Sequence, residues 1–157
     1  MEHVISFTKV QLAYGWLGNM FPHPVNYKGD MYRTTEALFQ SLRFSDEKIR
    51  EAIRAERSPM GAKMVAKRNI GLATVTPQSP EDLDNMRLVL RIKVEQHSCI
   101  ARWLLETGEA RIVEDCTARQ GGSGLFWGAA KQADGSWVGQ NWLGVLWQEL
   151  RSDLRRG

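Results

Sequence analysis

Apolar and polar positions along this chain follow a strand-like period near its start and a helical one for most of the rest. Val4 to Thr8 is a short strand-like run, and Val25 to Tyr32 reads as a hairpin turning at Lys28–Gly29, with Asp30 beyond it. Between them, Ala13 to Pro24 (AYGWLGNMFPHP) is a Gly/Pro/Asn loop crowded with aromatic residues. Helical patterning follows. Thr34 or Thr35 caps a first helix to about Phe44, and Ser45 or Asp46 opens a second, Glu47 to Glu56. Ser58–Pro59 starts a third that ends near Arg68. Ser79–Pro80, with Glu81 and Asp82 in the first turn, opens a long helix to about His97. Ile100 to Glu106 continues or restarts that helix until Gly108 stops it. A strand at Arg111–Glu114, a Gly-rich loop through Gly128 and a last helix opened by Asn141 complete the chain. Leu143, Leu146, Trp147, Leu150 and Leu154 make the apolar stripe of that helix. The expectation is an α+β fold, mostly helical with a few short strands, in a single compact domain spanning residues 1–157.

Composition narrows the class without naming a function. With 157 residues, 43% apolar and 25% charged, the chain has the makeup of a soluble globular domain large enough for a hydrophobic core. It contains no apolar run long enough for a bilayer, and MEHVISFTKV lacks the basic-then-apolar layout of a secretory signal. A cytoplasmic location is expected. Cys99 and Cys116 are too few and too far apart for a disulfide framework or a zinc site, and His3, His23 and His97 form no ligand cluster. No metal and no cofactor are therefore expected. A net charge of +3 favours an anionic ligand such as a phosphate but falls short of a duplex-binding protein. The most basic stretch, Arg151 to Arg156, suits a helix C-terminus.

The first helix carries the sharpest chemical signal. On a wheel of about 100° per residue, Glu36, Gln40 and Arg43 of TTEALFQSLRF fall within about 60° of one another. Ala37 and Phe44 flank this stripe on one side, Leu38, Phe39 and Leu42 on the other. A helix apolar nearly all round is buried, and buried acids need partners. The stripe therefore either closes an internal ion pair, Glu36 to Arg43, or lines a cleft.

Other candidates are weaker, and each has a plain alternative. Lys63 and Lys67, i and i+4 on the third helix beside Met60 and Met64, are either a phosphate clamp or solvated surface lysines. In GWLGNMFP, the tight-turn pair Gly18–Asn19 leads to Phe21. Trp16, Leu17 and Phe21 either stack on a ligand ring or anchor the loop to the core. GGSGLFWGAA offers closely spaced glycines and the pair Phe126–Trp127 but matches no Walker or Rossmann pattern. Trp142 and Trp147 read as core, and His97 reads as a surface residue at a helix end.

Taken in order, these pieces resemble the NADAR (YbiA-like) family from about Phe7 to Leu154. The first matching segments are Leu17-Gly18-Asn19-Met20-Phe21-Pro22, the hairpin Val25 to Gly29, Glu36 with Phe39-Gln40 and Arg43-Phe44, and Ser58 to Lys63. Lys93 to His97, Leu104 to Gly108 and Ile112 to Glu114 continue the pattern. Trp127-Gly128, Gly139 to Gly144 and Leu150-Arg151 close it. The resemblance implies an α+β N-glycosidase that cleaves the C–N bond of a phosphorylated ribosyl or ADP-ribosyl conjugate. Early riboflavin-pathway intermediates and ADP-ribosylated guanine are the implied substrates, with ADP-ribosylated nucleic acid a further implied partner. Glu36 takes the place of the family's catalytic glutamate. Asn19, Phe21, Gln40, Arg43, Lys63, Lys67, Trp127, Gly128 and Asn141 are the implied substrate-binding residues.

The chain also departs from the family pattern. Gly124 stands where an aspartate is usual, three residues before the tryptophan, and Gln78 to Pro80 lack a tryptophan expected ahead of the long helix. Asp115 or Asp134, and Trp137, are the replacements that the sequence offers. Two functions of different kind remain: an N-glycosidase centred on Glu36, and a degenerate module that binds a nucleotide or ADP-ribose without cleaving it.

Overall fold

Residues 2–157 are described by a computed structural model. In chain order the strands are β1 (Val4–Phe7), β2 (Val25–Tyr27), β3 (Asp30–Tyr32), β4 (Arg111–Glu114), β5 (Ala130–Lys131) and β6 (Trp137–Val138). The helices are α1 (Thr35–Ser41), α2 (Glu47–Ala55), α3 (Pro59–Arg68), α4 (Pro80–Gln96), α5 (Ser98–Glu106), α6 (Gly124–Trp127) and α7 (Trp142–Arg156). This is the α+β composition expected from the sequence. The backbone divides into two compact units, one built from Asn19–His97 and the other from the chain up to Gly18 together with Ser98–Gly157. Among the described residues no helix is long and apolar enough to cross a membrane.

In the Asn19–His97 unit, β2 and β3 pair antiparallel with Tyr27 opposite Asp30. The two residues between them, Lys28 and Gly29, both have positive φ (51° and 88°), as a two-residue turn matched to strand twist requires. Four helices follow, and polar side chains cap all four. Thr34 accepts from Ala37 N, Asp46 from Lys48 N, Ser58 from Gly61 N and Ser79 from Asp82 N. Thr34 rather than Thr35 caps α1, because the Thr35 hydroxyl donates to Asn19 Oδ1 at 2.9 Å. Thr34→Ala is expected to cost about 1 kcal/mol of stability in urea unfolding. α1 ends at Ser41, short of the expected Phe44. Arg43 N and Phe44 N bond three residues back, to Gln40 O and Ser41 O, and Arg43 O accepts from Thr74 N and Val75 N. The helix packs against α2, α3 and α4, so Ala37, Leu38 and Phe39 are buried.

In the other unit, β1 and β4 pair in parallel from Val4–Arg111 to Phe7–Glu114. The stripe Leu143, Leu146, Trp147 and Leu150 of α7 is buried, as are Ile112 and Val113 of β4, against which α7 packs. Trp142, expected in the core, is only half-buried, and its indole N–H donates to Gln140 Oε1 at 3.0 Å. Asn141 precedes α7 in the left-handed region (φ 53°), yet its side chain does not cap the helix. Its Nδ2 donates to Ile112 O (2.8 Å) and its Oδ1 accepts from Glu114 N (3.0 Å), which ties the start of α7 to β4. α5 restarts after α4 because His97 leaves helical geometry (φ −129°, ψ 89°). The stretch read as a Gly-rich loop through Gly128 contains the short helix α6, and the small hairpin β5–β6 follows it before α7.

Candidate active site

The polar stripe of α1 is a directed relay. Glu36 lies in the first turn, its N–H donating to Asn19 O at 3.0 Å. Gln40 Nε2 donates to Glu36 Oε2 at 2.6 Å, and Gln40 Oε1 accepts from Arg43 Nη1 at 3.3 Å. Arg43 Nε and Nη2 donate to the two carboxylate oxygens of Asp82, at 2.9 and 2.8 Å. A guanidinium has no acceptor, so Arg43 forces Gln40 to turn its carbonyl inward and its NH2 toward Glu36. The cation of the stripe thus answers Asp82 on α4, and the Glu36–Arg43 pair allowed by the wheel does not form. Glu36 is half-buried, and among the described residues its Oε1 takes no protein donor.

Asp82 is the member that the sequence reading missed. In the sequence it is one of two first-turn acids that mark the start of α4. In the structure the side chain is fully buried and its Oδ2 also accepts from Gln78 N at 2.9 Å. Arg43 is pinned further by the Phe39 ring, 4.7 Å from its Cζ.

α4 also organises the Asn19–Asn26 loop. Asn19 Nδ2 donates to Met86 Sδ at 3.3 Å, so the Asn19 side chain is held between α1 and α4. Phe21, half-buried, stacks on His23 (4.5 Å between centroids, 29° between planes). His23 leans on His97 at 4.8 Å, and His97 Nε2 meets Pro24 O at 2.6 Å. His97, half-buried at the end of α4, is therefore part of the loop's anchorage. Burial, with Lys93 and His97 nearby, lowers the His23 pKa to about 4. Burial alone brings the enclosed Lys93 down to about 7.

Both shifts favour the neutral side chain in the fold, and each makes the unfolded chain the better proton binder over a defined range. Stability is expected to fall as pH drops from 6.5 to about 4 because of His23, and to rise from about 7 toward 10.5 because of Lys93. Urea unfolding across pH should show both slopes. His23→Gln should flatten the acid one and Lys93→Met the alkaline one.

The remaining candidates lie outside this relay. Lys63 and Lys67 are exposed on α3 with Met60 and Met64, and neither forms a hydrogen bond or ion pair among the described residues. Trp127, Gly128 and Asn141 belong to the other unit. Trp127 is 8% exposed and meets Phe126 edge to face at 4.9 Å and 87°. Gly128 O accepts from Asn141 N at 3.0 Å, and the Asn141 amide is engaged with β4.

The structure also explains Gly124. A Cβ there would lie 2.3 Å from Arg119 O, so the backbone of the preceding loop occupies the space a side chain needs. Gly124→Asp is expected to destabilise the protein by about 2 kcal/mol through overpacking, read by thermal melting. Both of the carboxylates that the sequence offers as replacements sit in local turns that engage one oxygen each. Asp115 Oδ1 accepts from Thr117 N and Oγ1, and Asp134 Oδ1 accepts from Ser136 N and Oγ. Trp137 lies beneath Lys131 Nζ, 5.8 Å from its ring centroid.

Comparison with known proteins adds the following. A family profile described as NADAR domain matches residues 6–155. The N-glycosidase YbiA of Shigella flexneri is 35% identical over 154 residues, covering 98% of this chain and 89% of that protein. A riboflavin biosynthesis protein of Vibrio vulnificus is 25% identical over 156 residues, which are 99% of this chain but 40% of that protein. The NMR structure of the Escherichia coli protein YbiA superposes with a TM-score of 0.76 at 32% identity, covering 99% of this chain and 88% of that one.

Proposed function

The chain belongs to the NADAR family, and on that footing we propose that it is an N-glycosidase with Glu36 as its catalytic carboxylate. The observation that carries this reading is the Glu36 side chain itself: half-exposed, with Oε2 held by Gln40 and Oε1 unengaged. Cleavage of a ribosyl C–N bond builds oxocarbenium-like charge on the sugar, as in the hydrolysis of O-glycosides. A carboxylate fixed beside that carbon stabilises the charge or orients the attacking water. Its preorganisation is the task of the relay. Gln40 and Arg43 act as positioning residues, since their polar atoms point along the chain that ends at Asp82. Asn19 holds the first turn of α1 through its backbone carbonyl and side chain. Phe21 offers a partly open ring for a base, and Lys63 and Lys67 supply positive charge for a phosphate.

The substrate class proposed is a phosphorylated ribosyl or ADP-ribosyl conjugate of a base-like amine. Incubating the protein with ribosylamino-pyrimidine phosphates, ADP-ribosylated guanine, NAD and ADP-ribose, with mass spectrometry of the products, tests it. Release of a free base with the matching sugar phosphate is the expected result. Unchanged substrates after long incubation at high protein concentration would sink it. Gly124 favours a second reading, a module that binds these compounds without cleaving them. Calorimetric binding of ADP-ribose with no product formed would decide for that reading.

A further inference from the structure

The unit that contains α5 and α7 has an open cleft of about 390 Å3, lined by Tyr14, Trp16, Trp103, Glu106 and Thr107. None of these residues belongs to the Glu36 relay. Tyr14 has a left-handed backbone (φ 62°, ψ 16°), a conformation disfavoured for a bulky residue. The residue is 41% exposed, so core packing does not account for the strain. The turn around it is tightly specified: Gly15 N donates to Leu12 O and Leu17 N to Tyr14 O, both at 3.0 Å. A Cβ on Gly15 would fall 2.1 Å from Val10 O, so the turn admits only glycine there. Trp16 in turn meets the fully buried Trp147 edge-on (6.3 Å, 75°), and Trp147 Nε1 donates to Leu17 O at 2.9 Å. The backbone that carries Tyr14 and Trp16 is thus set before any ligand arrives, which lowers the cost of binding.

Their geometry selects the ligand. Tyr14 and Trp103 stand 6.5 and 5.6 Å from Trp16, each tilted by 54°. Neither neighbour is parallel to Trp16, so neither forms with it the flat slot that would sandwich a planar base. Tilted ring faces instead attract a compact cation through their quadrupoles. Glu106 adds a formal negative charge, and its ion pair is a 3.9 Å approach by Arg102 between two well-exposed side chains, which solvent screens. Thr107 offers little to a ligand of either charge. Its hydroxyl donates to Leu104 O at 2.5 Å and accepts from Arg151 Nη1 at 2.8 Å.

We infer that this cleft is a binding site for an alkylated ammonium group, its head against the tilted rings and its charge facing Glu106. Titration with choline, against its neutral isostere 3,3-dimethylbutan-1-ol at constant ionic strength, tests the inference through the tryptophan indole N–H resonances. Choline is expected to bind saturably and about 10-fold more tightly than the isostere, with Trp103→Ala removing most of that preference. Glu106→Gln should weaken choline binding several-fold without affecting the isostere. Tyr14→Gly relieves the backbone strain while removing a wall, so it should keep or raise the melting temperature and still lose affinity. Equal binding of both probes, no saturable response, full affinity in the Tyr14→Gly and Trp103→Ala variants, or binding of adenine in preference to choline would each overturn it.

Discussion

Glu36→Gln is expected to lower turnover of an N-ribosyl substrate by about 1000-fold or more, the scale on which a positioned catalytic carboxylate acts. The substitution is nearly isosteric, and the carbonyl of the introduced amide can still accept the 2.6 Å hydrogen bond that Gln40 Nε2 now gives to Glu36 Oε2. The melting temperature should therefore change by no more than about 2 °C. Substrate affinity should also survive, since the loss is confined to charge on the reacting side. A variant that turns over normally would remove Glu36 from the chemistry. A large drop in melting temperature would instead make it a structural acid. Gln40→Ala separates positioning from chemistry: it leaves the carboxylate but releases its orientation, and should cost less turnover than Glu36→Gln.

Asp82→Ala should produce the largest loss of stability, about 3–5 kcal/mol, because it strands a buried guanidinium. Asp82 is fully buried and receives two Arg43 donors as well as Gln78 N, so bulk solvent cannot readily take over its role. For a chain of this size that corresponds to a melting temperature roughly 10 °C lower. Arg43→Met with Asp82→Leu should be markedly milder than Asp82→Ala alone, because removing both charges leaves neither unpaired. If the double variant is as unstable as the single one, the pair contributes packing rather than charge compensation. Arg43→Lys should also weaken the relay, since an ammonium cannot make the two-point contact with Asp82 while donating to Gln40.

Local information was sufficient for much of the architecture. The cap residues before α2, α3 and α4, the Lys28–Gly29 turn, the β1 and β4 segments and the apolar stripe of α7 were all legible, because each depends on residues a few positions apart. So was the stripe of Glu36, Gln40 and Arg43, which follows from helix periodicity alone. The order of short motifs along the chain sufficed to identify the NADAR family. Less legible were α6 and β5–β6, four- and two-residue elements whose length is too short for any period to show.

Tertiary structure decided which polar groups meet. Asp82 lies 39 positions from Arg43, and nothing in either segment announces their pairing, yet that pairing holds in place the guanidinium that orients Gln40 toward Glu36. Asn141 was read correctly as the residue before α7, but its amide holds β4, because only the folded backbone brings Ile112 and Glu114 to it. Gly124 was legible as a departure from the family pattern, whereas its cause, the carbonyl of Arg119 in the space of a side chain, exists only in three dimensions. Sequence by itself determined the local elements and the residue types available for chemistry, since both follow from short-range sterics and periodicity. The fold alone determined the partners, because a hydrogen bond depends on distance in space and not on separation along the chain.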